Sequence, residues 1–202
     1  MAARAKGAPP FVGLTGGIGA GKSEALAALE RLGAATLSTD AIVHELLEGD
    51  EVRGLLVERF GARVAPEGRI DRNAVASVVF GDPDERKWLE GVLWPRVGER
   101  VMSWRDEVGR REPPPRAAVV EVPLLFESGM EAVFDHTIAV VADEDLRAER
   151  AAARGHTALE SRAARQLSQM EKAERAEFVV ENDSDLPALQ EKLSAVLENI
   201  GS

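Results

Sequence analysis

Gly16-Gly17-Ile18-Gly19-Ala20-Gly21-Lys22-Ser23 fits G-x-x-x-x-G-K-[ST], the pattern of a phosphate-cradling P-loop. The apolar run at 11–14 leads into it and reads as a strand. The residues after it read as a helix from about 22 to 32, with Leu26, Leu29 and Leu32 at helical spacing and Gly33 as its stop. Strand, loop, helix is the order the motif needs. The glycines let the chain curl until successive N–H groups point inward at phosphate oxygens, and the opening helix adds its positive dipole end. This places Gly17, Ile18, Gly19, Ala20, Gly21, Lys22, Ser23 and Glu24 around a bound nucleotide. Lys22 reaches the β and γ phosphates, and the Ser23 hydroxyl ligates Mg²⁺, partly through water.

The rest of the chain sets limits on what such a loop can serve. A length of 202 residues suits one domain with an inserted lobe, and an apolar content of 45 % provides for a sizeable core. The formal net charge of −10 argues against a nucleic-acid partner, so any anion site is made locally by N–H groups and a few placed cations. The absence of cysteine removes disulfides and thiolate zinc sites. Residues 1–10 read as a loose tail with Arg4 and Lys6 but no apolar signal segment, and no apolar run approaches a membrane span. A cytoplasmic protein using ATP is expected.

A short strand at about 35–37 precedes Ser38-Thr39-Asp40, which puts Asp40 at the carboxyl end of the second strand. Ligands of open α/β sheets bind along that edge. From Asp40 to Arg110 the pattern is mostly helical: Asp50 and Asp71 as caps, Gly61 and Gly81 as stops, Asp82-Pro83 opening another helix, and Pro95 breaking or kinking it. This is far more chain than a crossover requires, and it reads as an inserted lobe. Further strands are expected at 117–122, 137–141 and 178–180, with a closing helix at 186–199 capped by Asp185. Strands alternating with helices point to a parallel sheet.

Asp40 is the candidate base, since phosphoryl transfer to a hydroxyl needs a carboxylate near it or one that orients Mg²⁺. It can also cap a helix over 41–47, and His44 beyond it receives no role. Arg147, Arg150 and Arg154 fall at i, i+3 and i+7 on one helix face. After Gly155-His156, Thr157 to Glu160 fits a capping box, and Arg162, Arg165 and Gln169 repeat the spacing on a second helix. Two guanidinium stripes in an acidic protein read as a lid over a triphosphate. Glu121 and Glu127 can hold Mg²⁺ through water, and Glu127 can equally cap or pair on the surface. Trp88, Trp94 and Trp104 suit a lobe core, with stacking on an adenine as an alternative for one of them.

Several segments together resemble the dephospho-coenzyme A kinase family. Leu14 to Ser23 matches its L-T-G-G-I-G-[SA]-G-K-S; Asp40 matches the second aspartate of D-x-D; Phe60-Gly61 matches F-G. Glu121 to Glu127 matches [DE]-x-P-L-L-[FV]-E, the lid residues Arg150, Arg154, Arg165 and Gln169 match R-x-x-x-R and R-x-x-x-Q, and Ala176 to Asn182 matches A-D-x-V-I-D-N. The likeness spans about 11–200. Ser38 stands where the family usually has the first aspartate, Trp94-Pro95 where it commonly has His-Pro, and Glu177 and Glu181 where it has aspartates.

The resemblance implies an α/β P-loop kinase fold: a five-stranded parallel sheet flanked by helices, with a core of 11–49, 116–146 and 176–200, an acceptor-binding helical lobe at 50–115 and a lid at 147–175. It implies ATP-dependent phosphorylation of the ribose 3′-hydroxyl of dephospho-coenzyme A, with Mg²⁺, by a monomer or weak homo-oligomer. Lys22 neutralises the phosphates, Asp40 accepts the hydroxyl proton, Arg150 and Arg154 close on the phosphates, and Asn182 lies near the adenine. The residues alone also allow another small-molecule kinase, such as a nucleoside monophosphate kinase. A GTP-dependent switch is disfavoured by the lack of an N-K-x-D segment.

Overall fold

The run expected as a strand at 117–122 is apolar except for Glu121, and strands of that kind need cover on both faces. A computed structural model, which describes residues 8–153 and 166–201, shows how they obtain it. β1 (Phe11–Gly16), β2 (Ala35–Ser38), β3 (Ala118–Glu121), β4 (His136–Val141) and β5 (Phe178–Glu181) form one sheet in the order β2-β3-β1-β4-β5. Every pairing is parallel. Each strand runs to within one or two residues of the expected bounds. β1 lies at the centre and is buried from end to end. Leu14 sits opposite Glu121 on one side and Ile138 on the other. The chain turns to opposite sides of β1 before and after β3, and such a switch point opens a crevice beyond the carboxyl ends of the strands. The P-loop begins there.

The helices α1 (Lys22–Arg31) and α8 (Leu186–Ile200) cover the sheet. Ala25, Ala28 and Leu29 of α1 and Leu189, Leu193 and Leu197 of α8 pack with Val12, Leu14, Val119, Ile138, Val140 and Val180. Each large side chain buried here contributes about 1.5–3 kcal/mol. Phe134 stacks on Phe11 with ring centroids 4.6 Å apart, and the Arg105 guanidinium lies 4.6 Å from the Phe11 ring. α6 (Glu144–Ala153) follows β4, and α7 (Gln169–Arg175) precedes β5. Asp185 caps α8 by accepting from the Ala188 N–H, as its position suggests.

The chain packs as two units. The described residues of Met1–Ser38 and Trp104–Ser202 make the sheet unit, and Thr39–Ser103 makes a helical one. In the helical unit lie α2 (Thr39–Glu48), α3 (Asp50–Phe60) and α4 (Arg72–Gly81); the 26-residue α5 (Pro83–Val108) begins there. Leu47, Val52, Leu56, Phe60, Val64, Val75 and Leu93 are its core. Trp88 packs against that core with its ring edge-on to Phe60 at 5.3 Å, while Trp94 is exposed and Trp104 half-buried.

Four local readings are corrected. Pro95 does not end a helix: α5 runs through it, and the Arg96 guanidinium donates to the Val92 carbonyl in the turn that proline disturbs. Asp50 is the first residue of α3 rather than its cap; Gly49 caps, and the Asp50 carboxylate pairs with Arg53 at 2.7 Å. Asp40 lies inside the first turn of α2, which begins at Thr39. A carboxylate there favours the helix dipole without acting as a cap. Gln169 does not continue a helix from Arg165, because Ser168 caps a new helix at Gln169. Arg154, Arg162, Arg165 and the Thr157–Glu160 segment lie outside the described residues.

The Ser168 cap is reciprocal: its hydroxyl accepts from the Glu171 N–H, and the Glu171 carboxylate accepts from the Ser168 N–H at 2.8 Å. That backbone bond, with the Ser168 side chain second, holds the Glu171 carboxyl below its usual range. Its stabilisation is complete above the unfolded carboxylate value of about 4.3 and is lost as pH falls through the lower folded value. Ser168→Ala is expected to cost about 1 kcal/mol at neutral pH in chemical denaturation, with a shifted midpoint and an unchanged slope.

Candidate active site

A helix leaves its first N–H groups without intrahelical acceptors. At α1 the capping position is Gly21, in the left-handed region at φ 88°, with no side chain to supply an acceptor. The N–H groups opening α1 are therefore presented toward an anion. Gly19 is also left-handed, at φ 78°. A Cβ on Gly19 would strike the Arg147 carbonyl, and one on Gly21 would strike the Asn182 amide. Both positions are glycine for backbone conformation and for close approach. Gly17, Ala20 and Gly21 are buried, Ile18, Gly19 and Lys22 half-buried, Ser23 and Glu24 exposed.

The neighbouring elements close around this loop. Lys22 Nζ donates to the carbonyls of Gly16 at 3.2 Å and Gly17 at 3.1 Å. On α6, Arg147 Nε donates to the Ile18 carbonyl at 3.0 Å, and one turn later Arg150 Nη1 donates to the Asn182 carbonyl at 3.0 Å. Asn182 is buried just past β5; its Nδ2 donates to the Ala20 carbonyl at 3.1 Å and lies 3.5 Å from Glu24 Oε2. The structure thus gathers Gly17 to Glu24, Arg147, Arg150 and Asn182 into one cluster. Arg147 touches the loop itself, whereas Arg150 touches the residue that braces it. Asp40 lies in the helical unit, exposed, two residues beyond β2.

Below the loop is a buried polar group that the sequence did not mark. Lys172 on α7 is fully buried. Its ammonium donates to the Pro123 carbonyl, which also accepts from Thr15 Oγ at 3.4 Å, one residue before the P-loop. It pairs with Glu127 Oε1 at 3.1 Å, and the same oxygen accepts from the Leu167 N–H at 2.9 Å. Burial pushes the ammonium below the usual lysine range, and the Glu127 charge opposes that shift. Glu127 is thus committed to a buried pair and not to the surface. Nearby, the Gln169 side chain pairs with both backbone groups of Ala142, accepting from its N–H at 3.1 Å and donating to its carbonyl at 2.8 Å. Ser168-x-x-Glu171 has the spacing of a capping box but is not read as one from the sequence, and a lone lysine in a charged helix carries no mark.

The donors fit a nucleotide with a divalent ion. The uncapped start of α1, the Lys22 ammonium and the Ser23 hydroxyl suit phosphate oxygens and Mg²⁺, which commonly takes few protein ligands and completes its shell with phosphate and water. Among the described residues no group of three or more His, Asp or Glu side chains is placed to hold a metal, and no helix is long and apolar enough to cross a membrane.

A central parallel sheet ending in such a loop, with an arginine-bearing helix set against it, defines a P-loop kinase of small molecules. The family model described as dephospho-CoA kinase matches residues 10–188. A dephospho-CoA kinase of Symbiobacterium thermophilum is 40 % identical over 191 residues, covering 92 % of this chain and 79 % of that one. One of Moorella thermoacetica is 36 % identical, covering 94 % and 92 %. Among solved structures, TT1252 from Thermus thermophilus superposes with TM-score 0.77 at 36 % identity, covering 95 % of this chain and 97 % of that one. The dephospho-CoA kinase from Campylobacter jejuni gives 0.63 at 25 % identity, covering 94 % and 96 %. The chain belongs to the dephospho-CoA kinase family.

Removing one partner of a buried ion pair leaves the other charge uncompensated. Lys172→Met is expected to cost about 3 kcal/mol for that reason. The double variant Lys172→Met/Glu127→Gln keeps an acceptor for the Leu167 N–H without a buried charge and should be the more stable of the two. Thermal unfolding of both proteins checks the order.

Proposed function

We infer that this chain transfers the terminal phosphoryl group of ATP to dephospho-CoA, giving CoA and ADP, the last step of CoA biosynthesis. The acceptor atom is the ribose 3′-hydroxyl. The observation that carries the reading is the family match over residues 10–188, supported by a P-loop whose Gly21 leaves the start of α1 without a side-chain cap.

The individual roles are as follows. N–H groups of Gly17 to Ser23 and Glu24 cradle the β phosphate. Lys22 exchanges the Gly16 and Gly17 carbonyls for phosphate oxygens, which replaces neutral acceptors by charged ones and strengthens the bonds. The Ser23 hydroxyl would hold Mg²⁺, which would supply positive charge against the phosphates. Asp40 orients the acceptor hydroxyl and takes its proton. Arg150 and Arg154 close on the transferring group, where a guanidinium is most effective as charge spreads over the equatorial oxygens. Asn182 keeps the far end of the loop fixed through Ala20 and borders the adenine site. The helical unit receives the acceptor, and the lid begins in α6 with Arg147 and Arg150. The enzyme works in the cytoplasm as a monomer or weak homo-oligomer.

Asp40→Asn is expected to lower kcat by about 10²–10⁴-fold, the usual range for a general base, with little change in KM for ATP. Arg150→Ala should lower turnover by a comparable factor. A coupled ATP assay across dephospho-CoA, AMP and CMP tests the acceptor: preference for dephospho-CoA is expected, and preference for a nucleoside monophosphate would transfer the chain to the other kinase class.

A further inference from the structure

Gly19 follows Ile18 in the P-loop with φ at 78°. Glycine takes positive and negative φ with similar ease, so the residue itself does not decide which way the Ile18–Gly19 peptide faces. That orientation has to be set from outside the loop.

Arg147 on α6 is placed to set it. Its Nε donates to the Ile18 carbonyl at 3.0 Å. Its guanidinium also lies against Gly17, where a Cβ would sit 3.2 Å from Cζ, Nε and Nη2. Its main-chain carbonyl lies against Gly19, where a Cβ would strike it. One residue of α6 thus meets the loop through both side chain and backbone. It stands on a fixed base. The Arg147 N–H donates to the Asp143 carbonyl at 3.0 Å, the Asp143 carboxylate accepts from the Asp145 N–H at 3.0 Å, and the Asp143 N–H donates to Asp183 Oδ1 at 2.6 Å.

A trans peptide is planar, and its C=O and N–H point in opposite directions. Ile18–Gly19 is trans, since the cis bond among the described residues is Glu112-Pro113. Holding the Ile18 carbonyl toward Arg147 therefore turns the Gly19 N–H away from Arg147. The next donor, the Ala20 N–H, is used inside the loop, on the Gly17 carbonyl at 3.2 Å. Among the described residues no acceptor takes the Gly19 N–H.

We propose that Arg147 is a positioning residue for the phosphoryl donor: by holding the Ile18 carbonyl it presents the Gly19 N–H to the β phosphate, without itself touching the nucleotide. The proposal rests on the P-loop taking ATP. It gives Arg147 a duty separate from that of Arg150 on the same helix.

The atom that makes the bond supplies the test. The amide nitrogen of glutamine stands the same number of bonds from Cα as Nε of arginine, so glutamine replaces the donor but not the charge. Lysine keeps the charge and has a carbon at that point. Methionine has neither donor nor charge. ADP and dephospho-CoA are titrated separately into the full chain, followed by steady-state kinetics. Arg147→Met is expected to weaken ADP binding about tenfold, the loss of one ordered hydrogen bond, and to raise KM for ATP in parallel. Dephospho-CoA affinity should not change. Arg147→Gln should stay within about threefold of wild type for ADP, a neutral donor standing in for a charged one, and should retain more affinity than Arg147→Lys. Thermal melting reports whether each variant is folded. In NMR of isotopically labelled wild-type protein, the Gly19 amide proton should move downfield when ADP binds, a readout that needs no variant. ADP affinity unchanged in Arg147→Met, an equal loss for dephospho-CoA, better retention by lysine than by glutamine, or an unmoved Gly19 resonance overturns the proposal. A wild-type chain that binds neither ADP nor ATP overturns the nucleotide reading of the loop instead, and the two failures are distinct.

Discussion

α1 opens on a residue with no side chain, so no capping side chain answers the donors of its first turn. The rest of the sheet unit is arranged around that constraint. An anion site made of main-chain N–H groups works only if the loop carrying them holds its shape before the anion arrives, since otherwise the ordering entropy is lost on binding. The shape is held at both ends. Arg147 ties the Ile18 carbonyl to α6, and Asn182 ties the Ala20 carbonyl to the end of β5. These bonds hold the loop by two of its carbonyls and use none of its N–H groups.

The same economy extends beneath the loop. Pro123 offers one carbonyl to two donors, Thr15 from β1 and Lys172 from α7. Gln169 pairs with the peptide of Ala142 between β4 and α6. Chain separated by well over a hundred residues is thereby fixed to the tip of β1. Burying an ammonium for this purpose is costly unless it is paired. Glu127, itself only half-buried, supplies the pair at 3.1 Å.

Much of the site could be read from residue order because its chemistry is local. The P-loop is eight consecutive residues whose glycines and lysine carry their meaning in their spacing. Asp71, Asp82 and Asp185 announced helix starts for the same reason: a cap bonds N–H groups two or three residues away. Pro95 misled because a single proline removes only one backbone bond, which a 26-residue helix can absorb. Gln169 misled because an i, i+3, i+7 pattern does not reveal where one helix stops and another begins, whereas the Ser168 cap does.

The amino-acid sequence by itself determined the strand–loop–helix unit, the parallel α/β class and the kinship, because each rests on short-range pattern or on motif order. The tertiary structure alone decided the strand order β2-β3-β1-β4-β5, the bracing of the loop by Arg147 and Asn182, the Lys172–Glu127 pair, and the meeting of His44 with Arg72. Those contacts join residues between 28 and 162 positions apart, at 28 for Arg72 with His44 and 162 for Asn182 with Ala20. No local periodicity encodes a distance of that kind; it is set by which faces the packed strands and helices turn toward each other.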